Sequence, residues 1–258
     1  MTQPDDFGFG EEAAMLKASA RKFFSEHFAT DTLHRMVAAD HDPQRMSACA
    51  WDRTLWQQMV ELGWTALAVP ESVGGLGMPL VAVVGLVEEV GRAAFPCPLL
   101  ATLNATYVLA ACGSTGEAAL AEIVEGRTAS LAITNRQGSW DSVDTDVRCA
   151  QGRLNGTAWF VQDARKVDRL LVSAQTSSGQ ALYWVATDAD GVTVIPDAIV
   201  DLTRDQAHVT FDNAVAQEVS ADGLAALTQA MPAIWTLLAA DIAGAAEWQL
   251  QATVEYVN

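Results

Sequence analysis

The sequence contains few positive charges, few cysteines and no long uninterrupted apolar run. Its 258 residues include 15 Lys and Arg against 32 Asp and Glu, which gives a formal net charge of −17. This balance argues against nucleic acid or an anionic membrane as the main partner, although a few local arginines could still hold an anionic ligand. No apolar run reaches the roughly 20 residues that cross a membrane. The N-terminus lacks the apolar core of a signal peptide, so we predict a cytoplasmic protein without a membrane span.

Cysteine and histidine are too sparse and too scattered to predict a disulfide framework or a metal site. The cysteines show no C-x-x-C spacing, so we expect buried free thiols in a reducing compartment. Three histidines, His27, His34 and His41, recur every seven residues. On one helix they would stand about 10 Å apart, which is too far for a single metal ion. The cysteines are Cys49, Cys97, Cys112 and Cys149.

The sequence does contain enough apolar surface for a core, since 50% of its residues are hydrophobic. Residues 1–127 repeat apolar side chains at helical spacing, which predicts an N-terminal helical domain. Residues 128–222 hold short apolar runs separated by turn residues, which predicts a middle β-domain built as a small antiparallel barrel or sandwich. Residues 223–258 contain a long amphipathic helix over 233–257. The predicted fold class is therefore α+β.

A stretch over residues 62–100 changes structure several times within a short distance. A helix is predicted to end at Gly63, where a left-handed residue is favoured. Residues 65–69 are predicted to be short and extended. A glycine-rich loop over 70–77 then precedes a helix over 80–94, with a proline in its first turn. Such a loop can cradle a phosphate, but a structural turn is the favoured interpretation.

A second informative stretch covers residues 152–173. The dipeptide Asn155-Gly156 is a tight-turn signal, because both residues tolerate positive φ. Residues 157–161 are rich in aromatic and β-branched side chains and predict a strand, 162–168 predict a loop, and 170–173 predict the next strand. Taken alone, the pattern is that of an ordinary hairpin in a β-domain.

Both stretches resemble the acyl-CoA dehydrogenase family. Leu-Gly-Trp, Pro-Glu-Ser-x-Gly-Gly-Leu-Gly and Glu-Glu-x-Gly-Arg follow the order and spacing of its N-terminal helical domain, and LNGTAWFVQDARKVDRLLVSA is similar to its flavin-facing hairpin. The resemblance implies that residues 223–258 are the first helix of a truncated C-terminal helical-bundle domain. It also implies FAD as cofactor, an acyl-CoA substrate and α,β-dehydrogenation. The implied partners are further dehydrogenase subunits, like or unlike, in a dimer or tetramer, and an electron-transfer flavoprotein.

The resemblance further implies a set of site residues. Residues 134–141 align with the family's Thr-Glu-Pro-x-x-Gly-Ser-Asp segment, and Trp140 stands where the family's Ser meets the acyl-CoA substrate. Asn135 and Arg136 replace Glu-Pro, and a Gln replaces the Thr that bonds the flavin edge. These departures fit either a working site with tolerated variants or a site that is remodelled or idle. The implied FAD contacts are Leu131, Ile133, Thr134, Gly138, Ser139 (where the family has Gly), Phe160, Val161 and Gln162.

No catalytic base is predicted within the chain. Some family members carry the base near the start of the first C-terminal helix, and the aligned position is about Ile234, which cannot accept a proton. Glu247 and Glu255 are interpreted as solvated or inter-helix charges. Three hypotheses follow: a catalytic dehydrogenase whose base lies beyond Asn258, a non-catalytic partner subunit of a heteromeric dehydrogenase for steroid side-chain CoA esters, or a flavin-dependent monooxygenase on the same fold.

Overall fold

The computed structural model of the chain describes residues 10–38, 49, 51–139, 141 and 144–257. Helices precede and follow a β-region, which confirms the predicted α+β class. The helices are α1 (Glu11–His27), α2 (Thr30–Ala38), α3 (Arg53–Glu61), α4 (Leu80–Ala93), α5 (Leu99–Ala111), α6 (Glu117–Val124) and α7 (Gly223–Val257). The strands are β1 (Ala129–Ala132), β2 (Val147–Ala150), β3 (Arg153–Gln162), β4 (Arg169–Thr176), β5 (Gly179–Ala186), β6 (Val192–Pro196), β7 (Gln206–Val215) and β8 (Gln217–Ser220).

The N-terminal helices bury their apolar faces around an aromatic core. Phe23 and Phe24 of α1 are buried, and their rings lie 5.1 and 5.8 Å from the Trp64 ring, centroid to centroid. α3 begins after Asp52, whose carboxylate accepts hydrogen bonds from the first free N–H groups of the helix. The same core includes Leu237 of α7. The last helix of the chain therefore packs into the first domain.

The glycine-rich loop folds back onto the residues that precede it. Gly63 ends the preceding helix with φ 77, the left-handed conformation predicted there. The prediction of an extended segment over 65–69 is wrong, because a 3₁₀ turn, Trp64–Ala66, starts directly after Gly63. Backbone N–H groups of residues 76–78 donate to carbonyls within 66–69 and close the loop over this turn. These bonds give the loop a structural role.

The β-region forms a mixed sheet of eight strands, in which the order β6-β7-β3-β2-β4-β5-β8 is continuous and β1 pairs with β4. The prediction of a purely antiparallel barrel or sandwich is wrong in one respect, since β1 runs parallel to β4 from the pair Ala129–Arg169 onwards. Parallel neighbours need a crossover connection, and here β2 and β3 lie between them in the chain. The apolar runs predicted the strands, but they carry no information about direction.

The turn that feeds β3 lies earlier than predicted. Gln151 and Gly152 occupy it with φ 52 and 72, whereas Asn155 and Gly156 lie inside the strand. The tight-turn prediction for Asn155-Gly156 is therefore wrong. Gly156 has φ 123, and a Cβ there would overlap the Asp146 carbonyl of the neighbouring strand. Glycine is needed at position 156 because the two backbones approach closely there. In the sequence, a glycine in this role looks the same as one in a tight turn.

α7 begins ten residues before the predicted helix over 233–257 and spans 35 residues, with Pro232 inside it. Proline usually ends a helix, and this is why the pattern before Pro232 predicts no helix. The Thr236 hydroxyl donates to the Pro232 carbonyl at 2.7 Å. The helix thus continues through the proline and packs along both the N-terminal domain and the sheet.

α7 is also long and apolar enough, by length and composition alone, to cross a membrane, which the search for long apolar runs in the sequence did not anticipate. In its most apolar window, 44% of the residues are buried inside the protein. Ile234 and Leu237 of this helix are buried: Leu237 in the N-terminal helical core, Ile234 in a second core between helices and the sheet. Core helices pass the same test, and this packing is typical of one.

The opposite face of α7 is apolar and exposed. Trp235 is 54% exposed, Ile242 69%, Leu250 65% and Tyr256 91%. A contiguous exposed apolar surface of this kind favours association. We therefore predict that the purified 258-residue chain self-associates and binds an apolar fluorescent dye, as sedimentation velocity and dye titration would measure.

The paired change Ile242→Glu with Leu250→Glu should shift the chain towards monomer and reduce dye binding. Val200, which is fully exposed at 100%, supplies the matched control, because Val200→Glu adds the same charge away from α7. A clean monomer that binds no dye before any substitution would contradict the prediction.

Candidate functional site

A cavity of about 310 Å³ lies where α5, β1, β3 and α7 meet. Six of the eight predicted FAD contacts line it: Leu131, Ile133, Thr134, Gly138, Phe160 and Gln162. Four further residues complete the lining: Ala101, Asn104, Ser130 and Ile234. A cavity of this size is at the lower end of ligand pockets, which span about 300–1,000 Å³. It can receive the reactive part of a larger ligand.

An irregularity in β3 aims Phe160 towards this cavity. Ala158 pairs with Val209 and Val161 with Ala207, so three steps along β3 match two along β7. This one-residue excess is a β-bulge, which places two consecutive side chains on the outer side of the strand. Phe160 takes φ 54 and is 45% exposed, an unusual conformation for an aromatic residue. Such backbone strain recurs at ligand sites.

The same bulge turns Val161 away from the cavity. Its side chain is 1% exposed and belongs to the core inside the sheet, so it does not line the cavity as the predicted FAD contact would. Alternation along a strand normally sends neighbouring side chains to opposite faces. The extra residue at the bulge therefore decides which of Phe160 and Val161 faces a ligand.

The segment after β1 is tied to β3 beside the cavity. The Trp159 N–H donates to the Thr134 carbonyl at 2.9 Å. The side-chain oxygen of Asn135 accepts from the Ser139 N–H at 3.0 Å, and its carbonyl accepts from the Gly138 N–H at 3.0 Å. Asn135, one of the departures from the family pattern, thus organises the turn. Ser139 does not line the cavity.

Trp140, the predicted contact to the acyl-CoA, lies outside the described residues. The neighbouring Arg136 is held by two contacts. Its N–H donates to the Asp146 carboxylate at 2.8 Å, and its guanidinium lies 5.6 Å from the centroid of the Trp159 ring. Arg136, the second departure from the family pattern, therefore stabilises the loop locally, as Asn135 does.

The outer part of the cavity fits a flat aromatic group such as a flavin ring. Gly138 lies against Phe160, because a Cβ on Gly138 would be in van der Waals contact with the Phe160 ring at 3.6 Å. In the part of the chain that the structure describes, the side chains of Thr134 and Gln162 make no hydrogen bond within the protein. The Gln162 carbonyl, by contrast, accepts from the Ser130 hydroxyl at 2.6 Å. A ring in this position would meet an aromatic face and two side chains able to donate or accept.

The inner part of the cavity is buried and apolar apart from one amide. Ala101, Asn104 and Ile234 are 2%, 5% and 1% exposed. Sequence reasoning missed Ala101 and Asn104, because α5 is apolar on almost every side and no polar face marks its ligand side. The detectable signal was an Asn inside an otherwise apolar helix, which is rarely buried without a partner.

None of the ten lining residues carries a titratable side chain. Ile234, aligned with the family's alternative base position, is confirmed as apolar and buried at the cavity wall. Glu247 lies 3.6 Å from both Arg21 and Arg92, which confirms its interpretation as an inter-helix charge. Glu255 is exposed. The described residues therefore offer this cavity no proton acceptor.

The cysteines offer no nucleophile either. All four are free, but only Cys97 and Cys149 are buried as predicted, whereas Cys49 and Cys112 are half-buried. Burial raises the pKa of Cys97 to about 12 and that of Cys112 to about 11, so both thiols stay protonated at neutral pH. His27 and His34 lie on the separate helices α1 and α2, and His41 lies outside the described residues. Where the structure describes the chain, no cluster of three metal-binding side chains occurs.

Comparison with known proteins gives this geometry a family context. Residues 10–122 match the family model described as "Acyl-CoA dehydrogenase, N-terminal domain". The chain is 29% identical over 249 residues to the acyl-CoA dehydrogenase IpdE2 of Mycobacterium tuberculosis, covering 96% of this chain and 64% of that protein. The chain thus spans about two thirds of the length of this curated relative.

Solved structures show the same fold over nearly the whole chain. A variant of the Tcur3481-Tcur3483 steroid ACAD matches with a TM-score of 0.81 and 29% identity, covering 96% of this chain and 67% of that one. The ChsE4-ChsE5 complex from Mycobacterium tuberculosis matches with a TM-score of 0.77 and 24% identity, covering 96% of this chain and 66% of that one. The second likeness concerns the fold alone.

Proposed function

The chain belongs to the acyl-CoA dehydrogenase family, and on that premise we propose that it binds FAD and an acyl-CoA thioester as a subunit of an α,β-dehydrogenating enzyme. The observation that carries the proposal is the cavity between α5, β1, β3 and α7. It brings together six residues that the family resemblance assigns to FAD, although they come from two strands and a loop that are distant in the sequence.

Within this proposal the two parts of the cavity have different tasks. Phe160, Thr134 and Gln162 would hold the flavin ring at the outer part, and a bound FAD would supply the two-electron acceptor that the reaction needs. Ala101 and Ile234 would contact the acyl group at the buried part. Their apolar surfaces exclude water, and fixed contacts on both sides orient the reacting carbons. The chain's own contribution is binding and orientation.

Removal of the α-proton requires a base, and the cavity lining contains none. Ile234 occupies the aligned position, so we propose that a residue outside the described chain supplies the base. This observation favours, as a second candidate function, a non-catalytic subunit that completes a heteromeric dehydrogenase. The likeness to a steroid ACAD supports CoA esters of bulky acyl groups as the substrate class, and an electron-transfer flavoprotein as the partner that reoxidises the flavin is part of the proposal.

The test is FAD binding measured by fluorescence quenching, on the chain with any subunit that co-purifies. We predict that Gln162→Thr tightens FAD binding by up to about tenfold, equivalent to about 1.4 kcal/mol. A short hydroxyl makes its hydrogen bond with less loss of side-chain freedom than Gln, whose ordering costs up to about 2 kcal/mol. Gln175 lies exposed at the far end of β4, so Gln175→Thr is the matched control and should leave the affinity unchanged.

Two outcomes would redirect the proposal. If Gln162→Thr weakens FAD binding, Gln162 is itself a ligand of the flavin and the site is remodelled for it. If no FAD binds to the chain or to its complex in either form, the flavin part of the proposal fails. A complex with fewer flavins than subunits would favour the non-catalytic role, whereas one flavin per subunit would exclude it.

A further inference from the structure

The buried part of the cavity contains an amide without a partner. Asn104 of α5 is 5% exposed, its side-chain oxygen is fully buried, and its amide makes no hydrogen bond to any residue that the structure describes. Leaving a buried polar group unpaired costs about 1–3 kcal/mol. A group kept at that cost in a cavity wall calls for a partner that the protein itself does not supply.

Two threonines beside Asn104 on α5 are satisfied within the protein, whereas the Tyr107 hydroxyl of the same helix has no partner and does not line the cavity. The Thr102 hydroxyl donates to the Pro98 carbonyl at 2.7 Å, and the Thr106 hydroxyl donates to the Thr102 carbonyl at 2.9 Å. Ser130, which shares the cavity wall, donates to the Gln162 carbonyl. Four buried side chains among the described residues have an atom without a partner, and of these four Asn104 alone lines this cavity.

The surroundings of Asn104 restrict what its partner can be. Ala101, Leu131, Ile133 and Ile234 form apolar walls beside it. A charged group would be poorly solvated there, whereas a hydrocarbon would leave the amide dry and unpaired. The group that suits the site is apolar overall and carries one neutral oxygen within hydrogen-bond reach of the Asn104 side chain. The atom without a partner is the side-chain oxygen of Asn104, which only accepts, so its partner must be a donor such as a hydroxyl. A keto oxygen has no hydrogen to donate and would leave this atom unpaired.

We propose that Asn104 is a specificity-determining residue, which selects acyl groups that carry a hydroxyl at the end lying in the buried part of the cavity. This inference rests on the proposed function, since it takes the acyl group of an acyl-CoA as the occupant. It goes further by stating the chemistry of that group: a bulky hydrocarbon with one hydroxyl distant from the thioester.

The experiment compares three probes on the full chain loaded with FAD: cyclohexylpropanoyl-CoA and its ring-hydroxylated and ring-keto counterparts. Isothermal titration should give an affinity for the hydroxylated probe about tenfold above that for the hydrocarbon, the gain expected of one hydrogen bond. Asn104→Leu should remove this preference or reverse it. The keto probe cannot donate to the Asn104 oxygen, so a preference for keto over hydroxyl would overturn the inference.

Thermal unfolding without ligand distinguishes a binding role of Asn104 from a structural one, because the two roles predict opposite changes in Tm on substitution. Asn104→Leu replaces an unpaired amide with an apolar side chain of similar size, so we expect the Tm to rise by about 2–4 °C. A structural Asn104 would instead give a lower Tm. The control is Thr106→Val, which removes a hydroxyl from the same helix outside the cavity and should leave the probe preference unchanged. If Asn104→Leu does not fold, Asn104→Ala replaces it in the titrations.

The possible failures are separable. If the wild-type chain binds all three probes equally, or if the preference survives in Asn104→Leu, the inference about Asn104 is overturned while the proposed function stands. If Asn104→Leu releases FAD, the amide is a flavin contact and the inference is also wrong. If none of the probes binds to the wild-type chain, the proposed function fails and the inference falls with it.

Discussion

Replacing Gly91 with alanine should destabilise the chain by at least about 3 kcal/mol, the upper range for overpacking a core. Gly91 lies where α4 crosses α7, and a Cβ there would overlap the main-chain carbonyl of Asp241. Gly244 of α7 meets α4 in the same way, against the Glu88 carbonyl. Backbone on both sides cannot yield as a flexible side chain can, so the two helices must separate. Urea unfolding followed by circular dichroism would measure the loss.

The matched control is Gly85→Ala, on the same helix six residues earlier. A Cβ on Gly85 would lie 3.3 Å from the Cβ of Lys17, a tight contact that a small shift relieves, and it would overlap no backbone. Alanine has the higher helix propensity by about 0.8–1.0 kcal/mol, which offsets part of the cost of that shift, so Gly85→Ala should cost far less than Gly91→Ala. Equal losses for Gly85→Ala and Gly91→Ala would contradict the explanation, because both positions of α4 would then tolerate or reject a methyl group alike.

This crossing explains part of the resemblance seen in the sequence. The Glu-Glu-x-Gly-Arg motif lies along α4, and Glu89 within it is buried and accepts two hydrogen bonds from Arg21 at 2.8 and 3.0 Å. Gly91 of the same motif admits α7. The motif is therefore explained by helix packing. It can be recognised in the sequence, but it does not reveal that the helix it packs against lies some 150 residues later in the chain.

Local patterns predicted most of the secondary structure, because a long element repeats its signal. The helix predicted over 80–94 appears close to its predicted bounds, and the strands predicted over 157–161 and 170–173 lie within β3 and β4. The failures lie where one residue decides. Gly156 imitates a turn while serving a close strand contact, and Pro232 imitates a helix end while lying inside α7. In the sequence, Gly156 cannot be distinguished from a turn residue, or Pro232 from a helix end, until the packing is known.

The candidate site divides in the same way. The family resemblance predicts Thr134, Phe160 and Gln162, which come together at one cavity. It also predicts Val161, which the bulge in β3 turns into the core, and bulges leave no periodic trace in a sequence. Asn104 stands out in the sequence only as an Asn in a mostly apolar helix, and its role depends on which face of that helix meets the cavity. Tertiary contacts decide each of these cases.

Replacing Lys166 with methionine should cost about 3–5 kcal/mol of stability, the range for removing one partner of a buried ion pair. Lys166 and Asp163 are 3% and 4% exposed, and the ammonium lies 2.8 Å from the carboxylate in the turn between β3 and β4. Asp163 directly follows Gln162 of the candidate site. Methionine keeps the length and apolar stem of lysine but leaves the carboxylate buried without its charge partner.

The loss should depend on pH in a defined direction. Burial raises the pKa of the Asp163 carboxyl, and the Lys166 ammonium opposes this effect. Without Lys166 the folded-state pKa rises further above the unfolded value of about 3.9. The folded chain then holds a proton that the unfolded chain releases, so stability falls as pH rises through this window. Lys166→Met should therefore lose more stability near pH 8 than near pH 5.

Asp163→Asn supplies the control that separates charge from shape. Asp163 takes φ 52, a conformation that Asn also adopts readily, so the backbone of the turn should be kept. In the double variant with Lys166→Met neither side chain of the former pair carries a charge. Its stability should exceed that of Lys166→Met near neutral pH, and its extra dependence on pH should vanish. If the double variant instead loses the sum of the two single losses, the cost of Lys166→Met comes from packing, and the ion pair does not stabilise the turn that positions Gln162.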